Sequence, residues 1–206
     1  MPLHDGCSGC VARILQEVKM LSVAPLMLPV LLSAVLVFLA SWMVHMLLPF
    51  HRSDFRKVAA EDELMEAIRK LNIPPGDYMI PHAGGPEGMR KPEFVEKFKK
   101  GPVLTMTVMQ AGSMNMGANL LQWFIYCLVV NTIAAYVASR ALGPGAHYLQ
   151  VFRFAGCTAF VGYAVALWQD SIWYKRNWGT TFRNTVDGLL YGCLTAGTLG
   201  WLWPKG

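Results

Sequence analysis

Apolar positions gather into four long stretches, with short polar segments between all but one neighbouring pair. The first covers 24–48, the second 119–142, the third 148–168 and the fourth 185–203. Each approaches the roughly 20 residues that a helix needs to cross about 30 Å of hydrocarbon. Pro25 and Pro29 fall in the opening turns of the first, where a missing N–H is tolerated best. The fourth is the least oily, because glycine stands where leucine would otherwise be. Aromatic residues mark the ends: Trp123 and Tyr126, then Trp168, Trp173, Tyr174 and Trp178, then Trp201 and Trp203. Amphipathic rings favour the membrane–water boundary. The first stretch is too long, begins too late and lacks a small-x-small site, so it reads as an anchor rather than a cleaved signal.

Between the first two stretches the pattern changes. Residues 59–72 place Leu64, Ile68 and Leu71 at helical spacing. Glu61, Asp62 and Glu63 load the first turn and Arg69 and Lys70 the last, which suits the helix dipole. "IPPG" ends that helix, and "DYMIPHAGGPEGMRKPEF" reads as loop. "EFVEKFKK" predicts a further turn or two of helix, and "GPVLTMTVMQAG" alternates loosely enough for a strand. Ser113 or Asn115 supplies an N-cap for the next long helix. The predicted organisation is a tail over 1–22, a membrane helix over 23–48, a basic insert over 49–117, and three further membrane helices over 118–206. The fold class is an all-α integral membrane protein with four transmembrane helices and one small α(+β) polar insert.

Charge adds a direction to this layout. Only 15% of the 206 residues are charged, against roughly a quarter in ordinary soluble domains. Ten of the 18 Lys and Arg lie in the insert, and Lys175, Arg176 and Arg183 lie between the third and fourth stretches. The positive-inside rule then places the insert in the cytoplasm and both termini outside. The net charge of +5 reads as topology and headgroup contact. No helix-turn-helix or similar module is visible, so nucleic acid is not an expected partner. The expected partners are the bilayer and other membrane subunits, or a second copy.

Candidate chemistry is sparse. Gly188, Gly192, Ala196 and Gly200 recur at i+4 in the fourth stretch, and Thr158, Gly162 and Ala166 in the third, with Ala155 and Ala159 beside them. Such stripes let membrane helices approach closely, and predict a tight hairpin of the third and fourth helices. Intramembrane polar candidates are Gln122, Asn131 and Arg153. Asn131 needs a partner on another helix, whereas Arg153 reaches outward to the boundary. Asp170 and Asp187 sit at inner helix ends near Lys175, Arg176 and Arg183, and predict surface ion pairs. His45 falls about one turn before Pro49, at the same end, and reads first as a boundary histidine. His45, His51 and His82 are weak candidates for a metal site on the inner face. His4, Cys7 and Cys10 form a fragment of a ligand set. Met106, Met109, Met114 and Met116 offer thioethers suited to Cu(I). Cys127, Cys157 and Cys193 read as packing residues. His45 and His147 lie at opposite ends of their helices, which rules them out as an axial haem pair. GxSxG, P-loop and HExxH motifs are absent, so no catalytic residue or cofactor is assigned.

Five blocks, "VLLSAVLVFLASWMVHMLLPFHRSDF", "MNMGANLLQWFIYCLVV", "PGAHYLQVFR", "SIWYKRNW" and "DGLLYGCLTAGTLGWLWP", resemble small bacterial inner-membrane proteins that carry no assigned activity. The resemblance covers about 29–204. It implies a multi-pass protein of the bacterial inner membrane and supplies no site residue. The functional expectation is an accessory or assembly subunit of a membrane complex. The alternatives are a small oligomeric channel or transporter, and a metal- or redox-handling membrane protein.

Overall fold

The structure, a computed structural model, describes residues 24–112 and 115–205. The chain divides into two compact units, one made of residues up to Asp54 and from Asn115 onward, the other of Phe55–Met114.

The first unit is a helical bundle. A 3-10 turn, Ala24–Leu26, leads into α1, Met27–Met46. After the second unit come α4, Met116–Ala141, and α5, Tyr148–Tyr163. A 3-10 turn at Val165–Leu167 and the short α6, Trp168–Trp173, precede α7, Trp178–Trp201. The ends are capped by side chains. Asn115 Oδ1 accepts from Ala118 N–H at 3.0 Å, and Asn177 Oδ1 from Gly179 N–H at 2.7 Å. His147 Nδ1 accepts from Leu149 N–H at 3.3 Å, so its role is to start α5.

Each long helix packs on two neighbours, α1 on α4 and α7, and α5 on α4 and α7. Their order around the bundle is α1–α4–α5–α7. Trp123 Nε1, near the start of α4, donates to Ser41 Oγ, near the end of α1, at 2.7 Å, so this pair runs antiparallel. At the far end Trp203 Nε1 donates to Gly143 O at 3.0 Å, and Gly145 N–H to Pro204 O at 2.8 Å.

The interior is small and partly polar. Ala34, Ala134, Ala135, Ala138, Ala155 and Ala159 are fully buried, and so are Ser33, Asn131 and Thr195. Outward positions are large and apolar, with Leu28, Leu39, Leu121, Ile133, Val161 and Leu189 all exposed. Soluble bundles put those side chains inside; lipid removes that preference and leaves close packing and hydrogen bonds as the cohesive forces. Three helical segments are long and apolar enough to cross a membrane: Ala24–Met46, Met116–Ala141 and Tyr148–Trp173. The helix α7 matches them in length but is not among the three.

Helices α5 and α7 meet through small residues, but not along the row expected on α5. The row that faces α7 is Tyr148, Gly156, Phe160 and Ala164. A Cβ at Gly188 would stand 2.5 Å from Ala164 Cβ, one at Gly192 3.2 Å from Gly156 O, and one at Gly200 2.8 Å from Tyr148 Cδ2. Ala196 Cβ lies 3.0 Å from where a Cβ of Gly156 would be. Gly162 instead packs on α4, against Val130. Thr158 bonds the Phe154 carbonyl of its own helix, and Ala166 is exposed.

The second unit holds α2, Glu61–Lys70, β1, Gly76–Ile80, α3, Pro92–Lys100, and β2, Leu104–Val108. The strands pair antiparallel, with Tyr78 opposite Met106 and Thr107 Oγ1 donating to Asp77 Oδ1 at 2.6 Å. Residues 77–80, read as loop from sequence, are therefore a strand, and "EFVEKFKK" is most of a nine-residue helix.

Candidate functional site

A histidine–carboxylate cluster forms where the end of α1 meets the first half of α7. Local sequence explains how. Helix α1 stops at Met46, and Pro49, which lacks an N–H, opens a 3-10 turn over Pro49–His51. That turn carries His51 back over His45. The two imidazole rings stack with centroids 4.3 Å apart and planes within 5°, and Phe50 meets His51 edge-on. One turn further, Asp54 Oδ2 lies 2.7 Å from His51 Nδ1. From α7, Asp187 Oδ2 stands 2.8 Å from His51 Nε2, and Arg183 Nε donates to Asp54 Oδ1 at 2.8 Å. Arg183 also reaches Thr180 Oγ1 at 3.3 Å. The first half of α7 is tied to α6 by Ser171 and Thr181, whose hydroxyls are 2.6 Å apart.

The partners fix which ring nitrogens carry protons. The Ser41 carbonyl oxygen, 3.0 Å from His45 Nδ1, only accepts, so Nδ1 is the donor there. Asp54, a carboxylate, likewise accepts a hydrogen bond from His51 Nδ1–H. In the neutral rings both Nε2 atoms then present lone pairs. His51 Nε2 and Asp187 Oδ2 stand 2.8 Å apart, an ion pair when the His51 ring is protonated. The same spacing matches neighbouring donors on one metal ion, which sit about 3 Å apart when bonds are about 2.0–2.1 Å. Ligand atoms of His45, His51 and Asp187 all lie within 4.8 Å of one another.

Asp54 is held charged. Burial alone would push its carboxyl up, but hydrogen bonds from His51 and Arg183, and the Arg183 charge, outweigh that and hold it below 3.8. Because the folded value is the lower one, the contribution of this charge is complete above 3.8 and fades as pH falls through the depressed value. In a carboxyl-carbon NMR titration Asp54 is expected to titrate below 3.8, and in Arg183→Gln to move upward. An unmoved midpoint in that variant would show that Arg183 is not the partner.

Beside the cluster a cavity of about 700 Å³ opens between α1, α4 and α7. His45 and Asp187 line it together with Ser41, Asn119, Gln122 and Asn184. Its remaining wall is mostly aromatic: Phe38, Trp42, Trp123, Tyr126, Tyr163 and Tyr191. Several rings touch, with Tyr163 and Tyr191 centroids 5.5 Å apart and Trp123 and Tyr191 6.2 Å apart. Deeper in, Asn131 Nδ2 donates to Tyr163 Oη at 3.0 Å and to Cys127 O at 2.8 Å.

Of the histidines singled out from sequence, His45 and His51 come together. His82 belongs to the other unit, where it is exposed. The surface pairing expected of Asp170 is present, with Arg176 at 3.8 Å. The one expected of Asp187 is not: Asp187 is buried and faces His51, and Arg183 is taken by Asp54. Gln122 lines the cavity, and Arg153 is exposed on α5. His4, Cys7, Cys10 and Met114 lie outside the described residues. Among the described residues His45, His51 and Asp187 form a group that could hold a metal ion. Sequence reasoning missed Asp54, Asp187 and Arg183 as members of the site. One available signal was the spacing of Arg183, Asp187 and Tyr191, at i+4 on a helix otherwise poor in large polar groups. No protein-family model, curated protein or solved structure matches the chain.

Proposed function

We propose that this chain is a four-crossing protein of the bacterial inner membrane that binds a divalent first-row transition metal ion through His45, His51 and Asp187. The fourth crossing is α7. Its lower oiliness comes from glycines and hydroxyls turned toward its neighbours, while Leu189 and Leu190 point outward. The cation-rich insert and the Lys175–Arg183 segment favour a cytoplasmic face at the cluster's end, with both flanks outside.

The observation that carries the metal reading is the His51 arrangement. Its Nδ1–H is committed to Asp54, Asp54 is fixed by Arg183, and its Nε2 lies 2.8 Å from Asp187 Oδ2, with a ligand atom of His45 within 4.8 Å of both residues' ligand atoms. A ligating histidine that hands its other N–H to a carboxylate is a recurrent device for setting tautomer and basicity. Two imidazoles and one carboxylate suit Fe, Mn, Co or Zn, and three protein ligands leave further positions open. A donor set within the chain is compatible with its serving as an accessory subunit of a membrane complex.

The test is elemental analysis of protein purified in mild detergent, followed by Co(II) titration of the stripped sample. The expected result is one ion per chain and visible cobalt bands characteristic of nitrogen and oxygen ligands. Protein that is metal-free and takes up no cobalt, zinc, manganese or iron would refute the reading.

A further inference from the structure

Resting on that metal reading, we infer that the cavity between α1 and α4 receives a single-headed anionic amphiphile from the bilayer, its oxygen head on the ion and its apolar body along the aromatic wall. Three observations converge. First, His45 and Asp187 belong both to the donor set and to the cavity lining, so positions left open on the ion face the cavity. Second, the charges select the head. A divalent ion beside two carboxylates and one guanidinium leaves a single positive charge when both imidazoles are neutral. An anionic oxygen donor such as a carboxylate neutralises it. Third, the walls select the body. Trp123, Tyr163 and Tyr191 present ring surface next to Asp187, and about 700 Å³ falls in the range of sites that enclose a molecule of drug size.

The route of entry follows from the mouth. Trp42 and Met46 on α1 and Leu120 on α4 line the cavity and are exposed, at 49%, 57% and 37%. Both helices are long and apolar enough to cross a membrane. A mouth bordered by such side chains admits a molecule already dissolved in lipid, with no need to pass through water. The cavity wall also carries Asn119, Gln122 and Asn184, whose amides offer donors to oxygen atoms not bound to the ion.

The experiment uses full-length cobalt-loaded protein in nanodiscs of fixed lipid composition and follows the cobalt bands. Dodecanoate is expected to shift them at a concentration at least tenfold lower than acetate, and methyl dodecanoate, which lacks the anionic head, to leave them unmoved. In Leu120→Trp, which fills the mouth, the advantage of dodecanoate over acetate is expected to disappear while cobalt binding stays. Gln122→Trp is the second variant should the first fail to fold. Equal potency of acetate and dodecanoate overturns the inference, as does a shift by the methyl ester. A chain-length advantage that survives both tryptophan variants also overturns it, because it then reflects partition into lipid alone. These outcomes leave metal binding intact. Protein that takes up no cobalt refutes the metal reading itself, and this inference with it.

Discussion

Gly192→Leu is expected to destabilise the bundle by about 1–3 kcal/mol, the range for forcing extra volume into a packed interior. A Cβ there would stand 3.2 Å from Gly156 O and 3.3 Å from Phe160 N, both backbone atoms of α5. Backbone cannot rotate away as a side chain can, so α5 and α7 must separate. Separation opens the bundle's most intimate contact, and lipid offers no hydrophobic force to restore it. Gly188→Leu is expected to act the same way, because its Cβ would meet Ala164 Cβ at 2.5 Å. Gly197→Ala on the same helix is the control. Its Cβ meets only Tyr148 Oη, at an ordinary 3.7 Å, and little change is expected. Unfolding in a denaturing-detergent titration reads all three. If Gly192→Leu and Gly197→Ala melt together with wild type, α5 and α7 are not apposed along this row.

The second large effect concerns the proposed metal site. His51→Ala removes a proposed ligand and also the residue through which Asp54 reaches that site. Uptake is expected to fall below detection in a competition titration with a chromophoric chelator. Asp54→Asn is the finer probe. An asparagine oxygen can still accept from His51 Nδ1–H, which preserves the tautomer, but the charge that raises imidazole basicity is gone. Affinity is expected to fall about 10- to 100-fold, the usual consequence of losing such a supporting group. Undiminished binding in His51→Ala would place the ion elsewhere.

The long helices were legible because length and apolar content are local properties. Their boundaries shifted by a few residues, and α7 starts seven positions before the oily stretch, where Asn177 caps it. Half of the cluster was legible too, since His45 and His51 are near neighbours on either side of Pro49. The other half was not, for a physical reason. Arg183 and Asp187 sit four apart on one helix, and that spacing alone predicts a mutual pair. A competing carboxylate 129 positions away won Arg183 and left Asp187 to the histidine. Helical spacing cannot rank partners that only tertiary contact supplies. The α5 stripe failed differently. Counting small residues picked Thr158, Gly162 and Ala166, but the facing row mixes small with large, and the space for Tyr148 and Phe160 comes from the glycines of α7. Strand β1 was hidden because its five residues are bounded by Gly and Pro, and its partner lies beyond an intervening helix.

The same 129-residue reach has a bearing on how the protein is made. During synthesis both histidines and Asp54 emerge first, and Arg183 follows Asp54 by 129 residues, with Asp187 one helical turn later. Until α7 slots in beside α1, the nascent polypeptide lacks the third proposed ligand, and the Arg183 contact to Asp54 is not yet made. On the proposed reading, uptake of a metal ion therefore follows the insertion of that helix.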